Sequence, residues 1–107
     1  MNNSGLEEFE NSLDQSKTVQ YDFKLYITGL TPNSVRAVEN IKNLLEEYLK
    51  GKYNLEIIDI YQQPERTETD QIIAAPTLVK CNPTPVRKLI GDMSKKERVL
   101  QVLGLKL

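Results

Sequence analysis

The stretch Phe23-Lys24-Leu25-Tyr26-Ile27-Thr28-Gly29-Leu30-Thr31-Pro32-Asn33-Ser34-Val35 holds a strand, its stop and the start of a helix. β-branched and aromatic residues dominate Phe23 to Thr28, which suits a pleated, half-buried strand. Gly29 permits a sharp reversal after it. Thr31 then reads as an N-cap and Pro32 as the first helical residue: the threonine oxygen accepts a free backbone N–H, and proline has no helical hydrogen bond to lose. Val35, Val38, Ile41, Leu45, Tyr48 and Leu49 follow at helical spacing with charged residues between them. Gly51 is the natural C-cap.

Downstream, Leu55 to Tyr61 predicts a second strand whose mixed alternation suits a mostly buried position. Strand, helix, strand at this spacing is a right-handed βαβ unit with parallel strands. Pro64 opens a second helix with Glu65, Glu68 and Asp70 near its positive end and Ile72 and Ile73 turned inward, although the same acids suit plain solvent exposure. Ala75 to Lys80 forms a third strand entered through Pro76, and Val86 to Ile90 a fourth. The short link through Asn82, Pro83, Thr84 and Pro85 makes them an antiparallel hairpin, closed by Gly91 and Asp92. Ser94 with Glu97 reads as a capping box, Val99, Leu100 and Leu103 as core, and Gly104 as a stop. This order predicts an α/β, thioredoxin-like domain over residues 21–105, a mixed four-stranded sheet with helices on both faces. Residues 1–20 form an N-terminal extension, either a frayed tail or a short amphipathic helix on Leu6, Phe9 and Leu13.

Composition removes most catalytic chemistry. The 107 residues have room for one modest core and contain no histidine and one cysteine, Cys81. Imidazole bases, Ser-His-Asp and Cys-His systems and the common zinc sites are thereby excluded. No glycine-rich phosphate cradle exists. The pairs and clusters Glu46, Glu47 and Glu65, Glu68, Asp70 read as solvated faces, so no metal and no cofactor is expected. The acidic start and the absence of a long apolar run predict no membrane association and a cytoplasmic location. Charge is uneven: Glu7, Glu8, Glu10, Asp14 and Asp22 stand against Lys17 in residues 1–22, while Lys80, Arg87, Lys88, Lys95, Lys96, Arg98 and Lys106 outnumber Asp92 and Glu97 in residues 79–107. Such asymmetry predicts a charged surface patch or an attraction between extension and domain. Scattered lysines on a solvated face do not call for nucleic acid.

In a thioredoxin-like enzyme the loop after the first strand carries C-x-x-C at the start of the helix, where the helix end stabilises a thiolate. Here that loop is Gly29 to Ser34 and holds no thiol. Cys81 lies at a strand end and reads as a half-buried structural thiol; a thiol-dependent redox protein using it with an external thiol is the weakest alternative. Pro76 occupies the place of the cis proline facing the active loop in such folds. Lys80 and Arg87 fall close together if their strands pair, where like charges repel unless an anion neutralises them. Tyr26, Tyr53 and Tyr61 are candidate interface anchors, Tyr26 half core and half surface. Arg98 to Leu105, and Val86 to Ile90, carry patterns compatible with either helix or strand, so two packings of this half lie within reach.

The blocks Lys24-Leu25-Tyr26, Gly29, Thr31-Pro32-Asn33-Ser34-Val35-Arg36-Ala37, Ile58-Asp59, Ala75-Pro76-Thr77-Leu78, Pro85-Val86-Arg87 and Ile90-Gly91-Asp92 together closely resemble the KaiB family of bacterial circadian-clock proteins, from about Phe23 to Leu103. The resemblance implies a non-enzymatic clock component that binds a KaiC-like ATPase. It also implies a metamorphic chain: a tetrameric resting fold with a rearranged C-terminal half, and a monomeric thioredoxin-like fold that binds the ATPase. Lys24, Arg36, Lys80, Arg87 and Lys88 match basic positions serving oligomerisation (dimer or tetramer) or partner contact, and Gly91 and Asp92 match the junction where the two folds diverge. Glu56 and Gln71 replace lysines of typical members and Thr84 interrupts their proline run; these departures count against a KaiA-like partner. The alternative reading is an adaptor for a histidine kinase or for stress-response signalling without circadian timing.

Overall fold

The computed structural model describes residues 20–72 and 74–105. The expected amphipathic pattern of Leu6, Phe9 and Leu13 lies outside them, as does Ile73. Seven elements follow in order: β1 (Tyr21–Ile27), α1 (Pro32–Leu49), β2 (Tyr53–Asp59), α2 (Arg66–Thr69), β3 (Thr77–Asn82), β4 (Arg87–Ile90) and α3 (Lys96–Leu103). The strands form one sheet in the order β2-β1-β3-β4, with β1 and β2 parallel and the other neighbours antiparallel. The mixed four-stranded α/β architecture is the expected one.

Because side chains alternate along a strand, β1 serves two cores at once. Phe23, Leu25 and Ile27 join Leu78, Leu89, Met93, the α1 residues Ala37, Ile41, Leu44, Leu45 and Leu49, and the α3 residues Val99, Leu100 and Leu103. On the opposite side Tyr26, Ile58 and Val79 form a smaller cluster, with Ile60, Ile72 and Cys81 packed on it.

Helix α1 starts as the sequence predicts, with Thr31 as N-cap accepting from the Ser34 N–H and Pro32 in the first turn. Its buried stripe is Ser34, Ala37, Ile41, Leu44, Leu45 and Leu49, one position round from the predicted one. Val35 is exposed and Val38 half-buried, while the small Ser34 and Ala37 are buried in their place.

Three expectations are corrected. Strand β2 is an edge strand, so only Ile58 is buried there and Ile57 faces solvent in part. The helix expected from Pro64 is a single turn, ended where Gln71 takes φ +53°, and Ile72 reaches the smaller core from beyond it. The Ser94–Glu97 capping box does not form: α3 begins at Lys96 with Lys95 as cap, and the Ser94 N–H donates instead to Asp92 Oδ1 at 3.1 Å.

Leu25 is fully buried at the centre of the sheet and the larger core. Leu25→Ala should lower the unfolding free energy by roughly 2–5 kcal/mol, read as a lower urea midpoint with the slope unchanged.

Candidate functional site

The end of the sheet that carries a dithiol in redox proteins of this fold is built here from hydroxyls. The buried Ser34 Oγ accepts from the Thr28 N–H at 3.1 Å and from Thr31 Oγ1 at 2.9 Å, tying the end of β1 to the first turn of α1. Across the loop, Asp59 Oδ1 accepts from the Gly29 N–H at 3.1 Å and the Tyr61 N–H at 3.0 Å. Gly29 has φ +60°, a conformation that side-chain-bearing residues rarely adopt, and a Cβ there would lie in ordinary contact with the Tyr61 ring at 3.4 Å. Leu30 stands 89% exposed and Tyr61 72% exposed beside this rigid frame. The arrangement presents shape and apolar surface and no thiol. Pro76, the expected counterpart of the loop, is buried and follows a cis peptide bond.

The five basic residues singled out in the sequence do not form one patch. Lys24 and Lys88 lie on the α2 side of the sheet and converge on Asp70: Lys24 Nζ is 3.5 Å from Asp70 Oδ2, and Lys88 Nζ donates to the Asp70 carbonyl. Tyr26, expected to be half exposed, is fully buried, because its hydroxyl finds acceptors underneath α2. It donates to Asp70 Oδ2 at 2.5 Å and lies 3.3 Å from the Arg66 carbonyl. Burial, then the Asp70 hydrogen bond and charge, push its phenol well above the ordinary tyrosine range. Arg66 in turn makes a bidentate pair with Glu56, at 2.9 and 3.0 Å. Asp70 was legible only as an acidic surface residue; it meets Tyr26 across 44 positions of chain, a distance local patterning does not reach.

Arg36 belongs to a third place. Its Nε is 3.4 Å from Asp92 Oδ2, while Asn40 Nδ2 donates to the Asp92 carbonyl at 2.9 Å. Hydrogen bonds from Ser94, then Arg36, hold the Asp92 carboxyl below its usual range. Asp92 thus pins the segment after β4 to α1, next to Gly91 at φ +127° and Met93 at φ +63°.

Lys80 and Arg87 are register partners on β3 and β4, as the hairpin predicts. Both lie on the α3 side, in line with Phe23 and Leu89. Lys80 is only 5% exposed, and burial, then Arg87, lower its ammonium pKa. Cys81 is half-buried against the smaller core and its thiol is pushed up by burial, the opposite of an activated thiolate. Among the described residues no group of three or more acids, cysteines or histidines could hold a metal ion, and no helix is long and apolar enough to cross a membrane.

The family model described as KaiB domain matches residues 24–105. The chain belongs to the KaiB family. A circadian clock oscillator protein KaiB from Microcystis aeruginosa is 53% identical over 85 residues, 79% of this chain and 82% of that protein. One from Picosynechococcus sp. is 54% identical over the same shares. Among solved structures, the N-terminal domain of Synechococcus elongatus SasA superposes with a TM-score of 0.63 at 24% identity, covering 80% of this chain and 85% of that one. Mitochondrial thioredoxin 3 from Saccharomyces cerevisiae superposes at 0.65 with 17% identity, covering 94% and 90%. At these identities the structural matches establish the thioredoxin-like fold. The KaiB match adds a clock-related regulatory role.

The unfolded chain loses the Tyr26 proton near pH 10, whereas the folded chain holds it to higher pH. The unfolded state therefore binds fewer protons in that window, and stability falls as pH rises from about 10 upward. Unfolding free energies from pH 8 to 11 should decline more steeply in the natural protein than in Tyr26→Phe, and parallel slopes would refute the assignment.

Proposed function

We propose that this KaiB-family chain is a non-enzymatic cytoplasmic regulator that binds a KaiC-like ATPase and modulates its signalling or clock output. The observation that carries this reading is the family match over residues 24–105 on a fold whose functional loop offers Ser34 and Thr31 hydroxyls in place of thiols. With no imidazole in the chain and its one thiol pushed toward the neutral form, surface shape and charge remain as the means of action. Of the five basic residues proposed as contacts, Lys24, Lys88 and Arg36 are engaged by Asp70, Asp92 and Asn33. Arg87, exposed and without an ion pair among the described residues, is the contact we place first.

Incubating the protein with a KaiC-like ATPase and nucleotide should shift both to a larger species in size-exclusion chromatography, and Arg87→Glu should weaken the complex at least tenfold. An unshifted profile after incubation for a day at several temperatures would overturn the proposal. The long incubation matters because the second arrangement proposed for the C-terminal half, a resting dimer or tetramer hinged near Gly91 and Asp92, would have to convert first. Backbone chemical shifts over residues 64–105 check that point: a rearranged resting state replaces the β3, β4, α3 pattern, and a pure β3, β4, α3 pattern at all concentrations excludes it.

A further inference from the structure

The cleft between the β3–β4 hairpin and the C-terminal end of α3 brings together two cations, Lys80 and Arg87, that no ion pair among the described residues engages. Its volume is about 610 Å³, and Lys80, Arg87, Val86, Gln101 and Val102 line it. Lys80 is 5% exposed, and none of the ion pairs among the described residues includes it or Arg87. Burial leaves the Lys80 ammonium partly desolvated, and a second cation directly opposite on the next strand adds repulsion. The last carbonyls of α3 supply only a partial negative charge. The site therefore favours a carboxylate or another anion, next to an apolar rim where Val86 is 53% exposed.

We propose that the acidic segment 1–19 of this same chain docks in that cleft, its carboxylates against Lys80 and Arg87, and Leu6, Phe9 and Leu13 against Val86 and Val102. The segment lies outside the described residues, and its sequence supplies both chemistries: Glu7, Glu8, Glu10 and Asp14 against one Lys17, with the three apolar residues recurring at three and four. It also starts from the right place. Asp22 pairs with Asn82 and Phe23 with Lys80, so the segment joins β1 beside the end of β3 that carries Lys80, with Arg87 one strand further on. At roughly 4.8 Å per strand spacing, Tyr21 is about 10 Å across the sheet from β4. A linked segment of this length spans that many times over at about 3.3 Å per extended residue. Because the segment is tethered, its effective concentration at the cleft is on the order of millimolar, so weak contacts suffice. Taken with the proposed ATPase binding, on which this consequence alone rests, the segment competes with the partner for Arg87 and restrains complex formation.

The docking is tested without the ATPase, so that its failure and a failure of ATPase binding are told apart. The full chain, mixed from equal parts of ¹⁵N-labelled and unlabelled protein, is treated with a zero-length carbodiimide and digested for mass spectrometry. The Lys96–Glu47 pair, 3.0 Å apart, is the internal control. Links from Glu7, Glu8, Glu10 or Asp14 to Lys80 should form within single chains and fall severalfold in 1 M salt, where screening acts within about 3 Å. In parallel, replacing those four acids by Gln and Asn should move the backbone amide signals of Arg87, Gln101 and Val102 while leaving those of α1 in place. Links only between differently labelled chains would make a second copy the occupant and overturn the proposal. The control link alone with unmoved amides would also overturn it, leaving the cleft to an acidic partner. Amides that respond to added inorganic phosphate but not to the acid replacements would reduce it to a free-anion site.

Discussion

Everything in this domain hangs on β1, which like β3 is hydrogen-bonded on both sides and covered on both faces, and which alone joins the parallel and antiparallel halves of the sheet. Its period of two sends Phe23, Leu25 and Ile27 into the large core and Tyr26 into the small one, so its register sets both sides of the sheet together. A slip by one residue would exchange those sets and place Lys24 in the apolar core under α1 and α3. The same strand places Thr28 and Gly29 at the end of the sheet where the loop to α1 begins, and Tyr21 at the end where the N-terminal segment enters. Both surfaces with a functional reading are therefore positioned by one element.

Polar groups inside the fold are matched to partners, and this separates structural charge from charge that is available. Tyr26, Lys24 and Lys88 converge on Asp70 and hold the short α2 segment over the sheet. Arg36 and Asn40 grip Asp92. The ion pairs among these contacts lie partly in solvent, where each contributes little alone. Their effect is chiefly geometric: they define where α2 and the β4–α3 connection rest. Lys80 and Arg87 are different, because the fold brings two cations together and buries one of them. In a chain with 15 acidic and 14 basic residues, that local excess of positive charge is what the proposed docking rests on.

The loop between β1 and α1 carries hydroxyls where redox proteins of this fold carry a dithiol. A thiolate at a helix N-terminus draws its reactivity from unpaired N–H groups. Here Thr31 accepts the Ser34 N–H, and the Ser34 hydroxyl is spent on Thr28 and Thr31. The helix end is closed, and Leu30 and Tyr61 project beside it.

The sequence by itself determined the element order, the Thr31–Pro32 start of α1, the antiparallel hairpin that sets Lys80 against Arg87, and the exclusion of dithiol chemistry, because each depends on residues within a few positions of one another or on a residue type being absent. Tertiary structure alone decided the rest. Strand order made β2 an edge and exposed Ile57, which its apolar pattern could not foretell. A one-position rotation of α1 buried Ser34 in place of Val35, where the serine oxygen accepts from Thr28 and Thr31. Asp70 became the partner of Tyr26, Lys24 and Lys88, and Asp92 drew Ser94 away from the predicted capping box. These outcomes depend on which distant groups share a space once the sheet is assembled, and spacing along the chain carries no record of that.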